Sequence, residues 1–170
     1  MNEVYNVFTD NYSDIYTIKQ SNNMTEEDRE KFLGVFRSDT QDGILGFCVL
    51  GGIFSEGVDL KHDGLIGSII VGVGLPQICF ERNIIKDYFN KKNNCGYEYS
   101  YLYPGMNKVL QAAGRVIRTE TDKGVILLID ERFGNKSYLQ LFPKEWFPNT
   151  RVGNFQELER GLKDFWVNGL

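Results

Sequence analysis

Two stretches of the 170-residue chain carry residue types at spacings that can do chemistry. The first is QAAGRVIR, residues 111–118, which sets Gln111, Arg115 and Arg118 in an otherwise small, apolar segment. On a helix of about 100° per residue these three fall within roughly 60° of one another, and Leu110, Ala113, Val116 and Ile117 gather on the opposite side. Two arginines one turn apart repel unless an anion or a carboxylate lies between them. No acid and no lysine dilutes the segment from Val109 to Arg118. Two readings stand: a surface stripe closed by salt bridges, or a polyanion clamp whose planar guanidinium forks meet phosphate oxygens. The small run Ala112-Ala113-Gly114 predicts close packing at this point of the helix.

The second stretch is GGIFSEGVDL, residues 51–60, directly after an apolar run. Gly51, Gly52 and Gly57 let a backbone approach a ligand, and Glu56 and Asp59 set two carboxylates beside it. In open α/β sheets ligands bind at the carboxyl ends of strands, where this loop falls. A turn followed by a helix cap accounts for part of the same composition. A third stretch, VILLIDE, residues 125–131, imitates an acidic strand that holds Mg²⁺. The chain contains no G-x-x-x-x-G-K-[ST] loop to cradle phosphates, so Asp130 and Arg132 read as structural, tying the strand end to neighbouring loops. The single His62 lies in a polar turn with no Cys, Ser or His at a suggestive spacing.

The elements that must position these residues alternate. MNEVYNVF sets Val4, Val7 and Phe8 at helical spacing, and DIYTIKQ is a short β-like run. TEEDREKFLGVFRS opens on Thr25 as N-cap with Asp28 three residues on, and it places Phe32, Leu33 and Phe36 on one face. GILGFCVLGG, GSIIVGVGLP and GVILLID are continuous apolar runs, the pattern of strands buried on both faces. Between and after them come helical patterns: ICFERNIIKDYFNKK, then PGMNKVLQAAGRVIR with Pro104 in its first turn, and last NFQELERGLKDFW from Asn154 to near Gly169. NKKNNCG reads as a polar loop. Buried strands alternating with helices predict an α/β fold, a parallel sheet covered by helices on both faces.

The bulk numbers bound the rest. The length suits one domain with a real core. A net charge of −4 does not advertise a free-standing nucleic-acid binder, though it allows a domain that forms one wall of a composite groove. No apolar run approaches the roughly 20 residues of a membrane span, and the first residues are no signal peptide. Cys48, Cys79 and Cys95 are far apart and form no C-x-x-C pair, which predicts reduced thiols in a cytoplasmic protein and no metal site.

At the two chemical stretches the sequence resembles the superfamily-2 helicases of the DinG/XPD group, the bacterial DinG-like members in particular. GGIFSEGVDL looks like motif V and QAAGRVIR like motif VI, Q-x-x-G-R-x-x-R. LGFCVLGGIFSEGVDL running into LIGSIIVGVGLPQ, and LLIDERF with LFPKEWF, keep the family's order over Tyr12 to Phe147.

The resemblance implies the second of two RecA-like motor domains over residues 1–170, with ATP and Mg²⁺ held at the interface with the first. That first domain, with its phosphate loop and, in many members, an iron–sulfur cluster, is not in this chain, in keeping with its few cysteines. The helix at Met1 resembles the one that follows the second domain's first strand, which implies that this strand lies outside the chain. Carried over, Gln111 resembles the glutamine facing the γ-phosphate and the attacking water. Arg115 and Arg118 resemble the motif VI arginines, Arg118 being the better arginine finger. Glu56, Gly57 and Asp59 match the loop that touches nucleotide, and Ser55 and Gly52 are the weaker backbone contacts to nucleic acid. The implied partner is single-stranded DNA, travelled 5′ to 3′, and the chain alone is expected to be a folded monomer without ATPase activity. One departure stands out: GLPQICFERN carries Pro76 alone where many relatives have a proline-rich aromatic loop.

Two other functions fit parts of this pattern. A RecA-like domain kept as a nucleic-acid or protein adaptor needs no phosphate loop. An RNA-directed motor of the same superfamily is disfavoured, since those relatives write H-R-x-G-R where this chain has Gln111 to Arg115.

Overall fold

The computed structural model describes residues 1–37, 43–54, 65–117 and 119–168, the side chain of residue 168 excepted. They fall into two units, residues 1–140 and 141–170.

The first unit opens with α1 (Asn2–Asn11), β1 (Tyr16–Lys19) and α2 (Glu26–Phe36). The expected cap of α2 is present and reciprocal. The Asp28 amide donates to Thr25 Oγ1 at 3.2 Å, and the Thr25 amide donates to Asp28 Oδ2 at 3.0 Å. These bonds satisfy two amides that the helix itself leaves unpaired. The Thr25 hydroxyl, donating to Asp28 Oδ2 at 2.8 Å, and then the Thr25 amide hold the Asp28 carboxyl below its usual range. Phe32 and Leu33 turn inward as their spacing predicts. With Phe54 they form a buried cluster, Phe32 stacking on Phe54 at 4.2 Å between ring centroids, and Ile18, Met24, Phe36 and Leu65 pack around it.

The apolar runs become β2 (Ile44–Phe47), β3 (Gly67–Val71) and β4 (Val125–Ile129). Every observed pairing is parallel, as predicted, but among the described residues the strands form two separate pairs in place of one sheet. Tyr16 to Lys19 pair with Ile44 to Phe47, and Gly67 to Val71 pair with Val125 to Ile129. The expectation of strands covered on both faces is corrected at β3. Ile70 is buried at 4% exposure, whereas Ile69 and Val71 on the other face stand 62% and 72% exposed. Among the described residues nothing covers that outer face, so an apolar run that looks two-sided is covered on one side.

Between β3 and β4 run α3 (Phe80–Asn93), a π-helical turn (Glu98–Leu102) and α4 (Tyr103–Ala113). NKKNNCG is therefore mostly helix, with only Asn94 and Cys95 breaking the run. Lys91 and Lys92 close the last turn of α3, where cations suit the helix dipole, and Asn94 ends it in the left-handed conformation. Pro104 lies in the first turn of α4, as expected, although the backbone before it is already helical as the π-turn. α4 packs against β3 and buries Gly105, Met106, Val109 and Ala113.

After β4 a 3₁₀ turn (Glu131–Gly134) and α5 (Lys136–Leu139) complete this unit. Asp130 caps the 3₁₀ turn by accepting from the Arg132 amide at 2.9 Å. Its carboxylate also takes Arg132 Nε at 2.8 Å and Nη2 at 2.7 Å, a two-point pair. The pair is structural, as the sequence suggests, but it is local to its own turn. The second unit holds a 3₁₀ turn (Lys144–Trp146) and α6 (Phe155–Asn168). Asn154 caps α6, accepting from the Glu157 amide at 2.9 Å. No helix among the described residues is long and apolar enough to cross a membrane.

The Arg132 guanidinium holds the Asp130 carboxyl below the ordinary aspartate range. A carboxyl depressed in the folded state stabilises above its unfolded pKa, and that contribution is lost as pH falls through the folded value. Asp130→Asn is therefore expected to cost about 1 kcal/mol near neutral pH, a discounted figure because Arg132 keeps access to water. Urea midpoints should show a constant wild-type advantage from neutral pH down to about pH 5, shrinking below about pH 4. A pH-independent difference would mean that the charge of Asp130 contributes nothing.

Candidate functional site at the carboxyl ends of the strands

The site is built where β2 and β3 end. Gln20, just past β1, reaches across to the loop after β2. Its amide donates to Phe47 O at 2.8 Å, and its side-chain Oε1 accepts from the Val49 amide at 3.0 Å. The loop then turns back on itself, the Gly52 amide donating to Val49 O at 2.9 Å. Gly51 sits at φ +76°, a conformation that L side chains avoid. A side chain there would also collide with Lys108 of α4, whose Cδ lies 2.7 Å from the place a Cβ would take.

α4 comes this close because Gly105 lets it. A Cβ on Gly105 would stand 2.7 Å from Val73 O and 2.9 Å from a Leu75 methyl. Leu50 in turn packs over Gly74. The loops after β2 and β3 and the flank of α4 thus meet at one place, and Lys108 and Gly51 bring the start of one chemical stretch beside the helix that carries the other. Gln111 lies one turn beyond Lys108 and is exposed.

QAAGRVIR is not one helix. α4 stops at Ala113. The Gly114 amide still reaches Leu110 O at 2.9 Å, but the Arg115 and Val116 amides bond Ala112 O and Ala113 O, three residues back. The tightened turn ends the regular 100° progression, so the stripe predicted for Gln111, Arg115 and Arg118 on one continuous helix is corrected. Ala113 and Val116 are buried as that helix would have them, while Ile117 is 42% exposed. Gln111 is exposed, Arg115 is half-buried, and Arg118 lies outside the described residues. The same holds for Ser55, Glu56, Gly57, Asp59 and His62; of the residues of GGIFSEGVDL expected beside a ligand, Gly51 and Gly52 are placed. Close packing was expected at Gly114, but Gly114 is exposed and its nearest neighbours are carbonyls of its own turn. The tight contact belongs to Gly105, nine residues earlier.

Gln20, Lys108 and Gly105 are the positions that sequence reasoning passed over. Gly105 has a local signal, a glycine in the interior of a helical pattern, where it costs stability unless close packing requires it. Gln20 and Lys108 have none, because their partners lie far away in sequence.

No cluster of three His, Cys, Asp or Glu occurs among the described residues. Asp130, at the end of β4, is committed to Arg132 on both oxygens.

Comparison with known proteins gives this geometry its context. Residues 1–149 match the family model described as the helicase C-terminal domain. A Regulator of telomere elongation helicase 1 homolog from Caenorhabditis elegans is 32% identical over 119 residues, 65% of this chain and 12% of that protein. A probable ATP-dependent helicase from Methanocaldococcus jannaschii is 30% identical over 99 residues, 53% of this chain and 15% of its own length. The ATP-dependent DNA helicase CHL1 of Yarrowia lipolytica is 26% identical over 160 residues, 82% of this chain and 20% of its own. The chain therefore spans between an eighth and a fifth of the length of these relatives.

Gly105→Ala is expected to destabilise by about 1–3 kcal/mol, the usual cost of overpacking, because the Val73 carbonyl cannot yield without moving β3. Gly114→Ala, at an ordinary φ of −67° and exposed, should stay within about 0.5 kcal/mol of wild type. Chemical melts of the two variants side by side check this, and the reverse ranking would place the close contact at Gly114 after all.

Proposed function

Since the chain belongs to the helicase C-terminal domain family, of the DinG/XPD type, we propose that it is the second motor domain of an ATP-dependent DNA helicase. One observation carries the reading: Gly51, opening the motif V stretch, lies against Lys108 on the helix that presents Gln111. The start of one stretch and the helix that opens the other are neighbours, which supports the reading that both serve one nucleotide. The surface where they meet is at the carboxyl ends of the strands, where α/β folds bind ligands.

On this reading ATP and Mg²⁺ lie between this surface and a first motor domain that supplies the phosphate-cradling loop. Gln111 orients the water that attacks the γ-phosphorus as the bond to the bridging oxygen breaks. Arg118 and Arg115 meet the charge that grows on the γ-phosphoryl oxygens, Arg118 as the finger. An arginine supplied across an interface in this way is worth about 10³ to 10⁵ in rate. Glu56, Gly57 and Asp59 form the nucleotide side of the motif V loop. Ser55 and Gly52 face the backbone of single-stranded DNA, along which closing and opening of the two domains steps 5′ to 3′. The two parallel pairs are parts of one RecA-like sheet. The packing of Leu50 over Gly74 supports this, since it holds the ends of β2 and β3 side by side, and so does the bare apolar face at Ile69 and Val71.

The test joins this chain to its first motor domain and measures steady-state ATPase. Arg118→Ala is expected to lower kcat by about 10²-fold or more, because the loss falls on the transition state. Arg118→Lys should rescue little, an ammonium lacking the planar fork. Gln111→Ala should likewise act on kcat. The 170-residue chain alone should hydrolyse no ATP and bind single-stranded DNA only weakly, with Kd near ~10⁻⁴ M and a steep salt dependence. Mg²⁺-dependent turnover by the isolated chain would sink the two-domain account. Tight, salt-insensitive DNA binding without any ATPase in the joined protein would favour an adaptor.

A further inference from the structure

The helix that carries Gln111 is not regular, and its irregularity has a traceable cause. Helical backbone runs from Gly96 to Ala113, with a π-turn at Glu98–Leu102 in which the Tyr103 amide bonds Glu98 O, five residues back. In an α-helix the donor to Ser100 O would be the amide of residue 104. That residue is Pro104, which has no N–H and whose ring presses on the carbonyl four residues before it. Ser100 is fully buried, so its carbonyl cannot turn to water. Arg82 of α3 takes the vacant place, its Nη1 donating to Ser100 O at 3.3 Å. Two more contacts tie α3 to the same turn. Asn90 Oδ1 accepts from the Gly96 amide at 2.9 Å, and Phe89 stacks on Tyr99 with centroids 3.9 Å apart.

A π-turn takes in one residue more than an α-turn, which rotates everything beyond it by about 100° relative to an uninterrupted α-helix. Downstream of it lie Gly105, Lys108 and Gln111. Were the turn to relax to α geometry, Gly105 would leave the Val73 carbonyl and Gln111 would move off its present face.

We propose that Arg82 is a positioning residue: by occupying the carbonyl that Pro104 leaves without a donor, it locks the π-turn and so fixes the rotational phase at which α4 presents Gln111. Ser100 Oγ, buried with no hydrogen-bond partner among the described residues, takes no part in the lock. The functional consequence rests on the proposed role of Gln111; the lock itself does not.

The experiment uses the protein with both motor domains and reads ATPase kinetics together with amide hydrogen exchange. Arg82→Leu is expected to speed exchange at Leu102 and Tyr103 and to lower kcat by about 10- to 100-fold, the scale of a small misplacement of a catalytic group, with the KM for ATP little changed. Arg82→Lys, which still offers an N–H donor, should recover most of both. Ser100→Ala should leave both as in wild type. Unchanged exchange at Tyr103 in Arg82→Leu overturns the lock. Exchange raised evenly across the chain also overturns it, since Arg82 would then hold the fold and not the phase. If Gln111→Ala keeps full ATPase while Arg82→Leu still loosens Tyr103, the lock stands and the role given to Gln111 falls.

Discussion

The approach of α4 to the backbone of Val73 is the constraint from which the rest of the site follows. Helix and strand-end meet backbone to backbone at Gly105, so their separation is fixed by hard atoms and not by adjustable side chains. With α4 held there, Lys108 falls beside Gly51, and the loop after β2 has to take a left-handed residue to pass it. Gln20 pins the far side of that loop through the Val49 amide. The described part of that loop, residues 48–54, is thus held from two sides.

How far the fold could be read from sequence depended on whether the deciding interaction was local. The cap of α2 needs only Thr25 and Asp28, three residues apart, and it is where the pattern puts it. The parallel pairing of strands follows from apolar runs separated by helices. The end of α4 does not follow from periodicity, because Val116 and Ile117 continue the apolar spacing while the backbone has already tightened to bonds three residues back. The π-turn is harder still. Pro104 is visible as a residue without a donor, but a proline early in a helical pattern reads first as a helix start. Arg82, reaching from another helix to Ser100 O, is a partner that no local window of sequence contains.

The site divides in the same way. Gln111 and the glycines at 51 and 52 stood out by type and spacing, and family resemblance gave them roles. Lys108 and Gln20 did not stand out, because a lysine in a helix and a glutamine after a strand have many ordinary uses. Their significance is a property of where β2 ends relative to α4, which no window of sequence contains. Gly105 was legible in principle, and Gly114, in the more conspicuous company of two alanines, drew the expectation away from it.

The acidic strand end shows why residue type alone is a poor guide to chemistry. Asp130 has the setting of a metal-holding carboxylate, at the carboxyl end of a parallel strand. Both of its oxygens are already spent on Arg132 and on the turn it caps. Recruiting it for a cation would leave Arg132 without its partner and the turn without its cap, and among the described residues no group of three His, Cys, Asp or Glu gathers to hold one. On the proposed reading this is the expected economy. A domain that meets its nucleotide across an interface needs a glutamine and arginines facing outward, and it needs its own acids to stay out of the way of the phosphates. Pairing Asp130 inward with an arginine achieves both, because it anchors the end of β4 while cancelling a negative charge beside the surface where the polyphosphate has to sit.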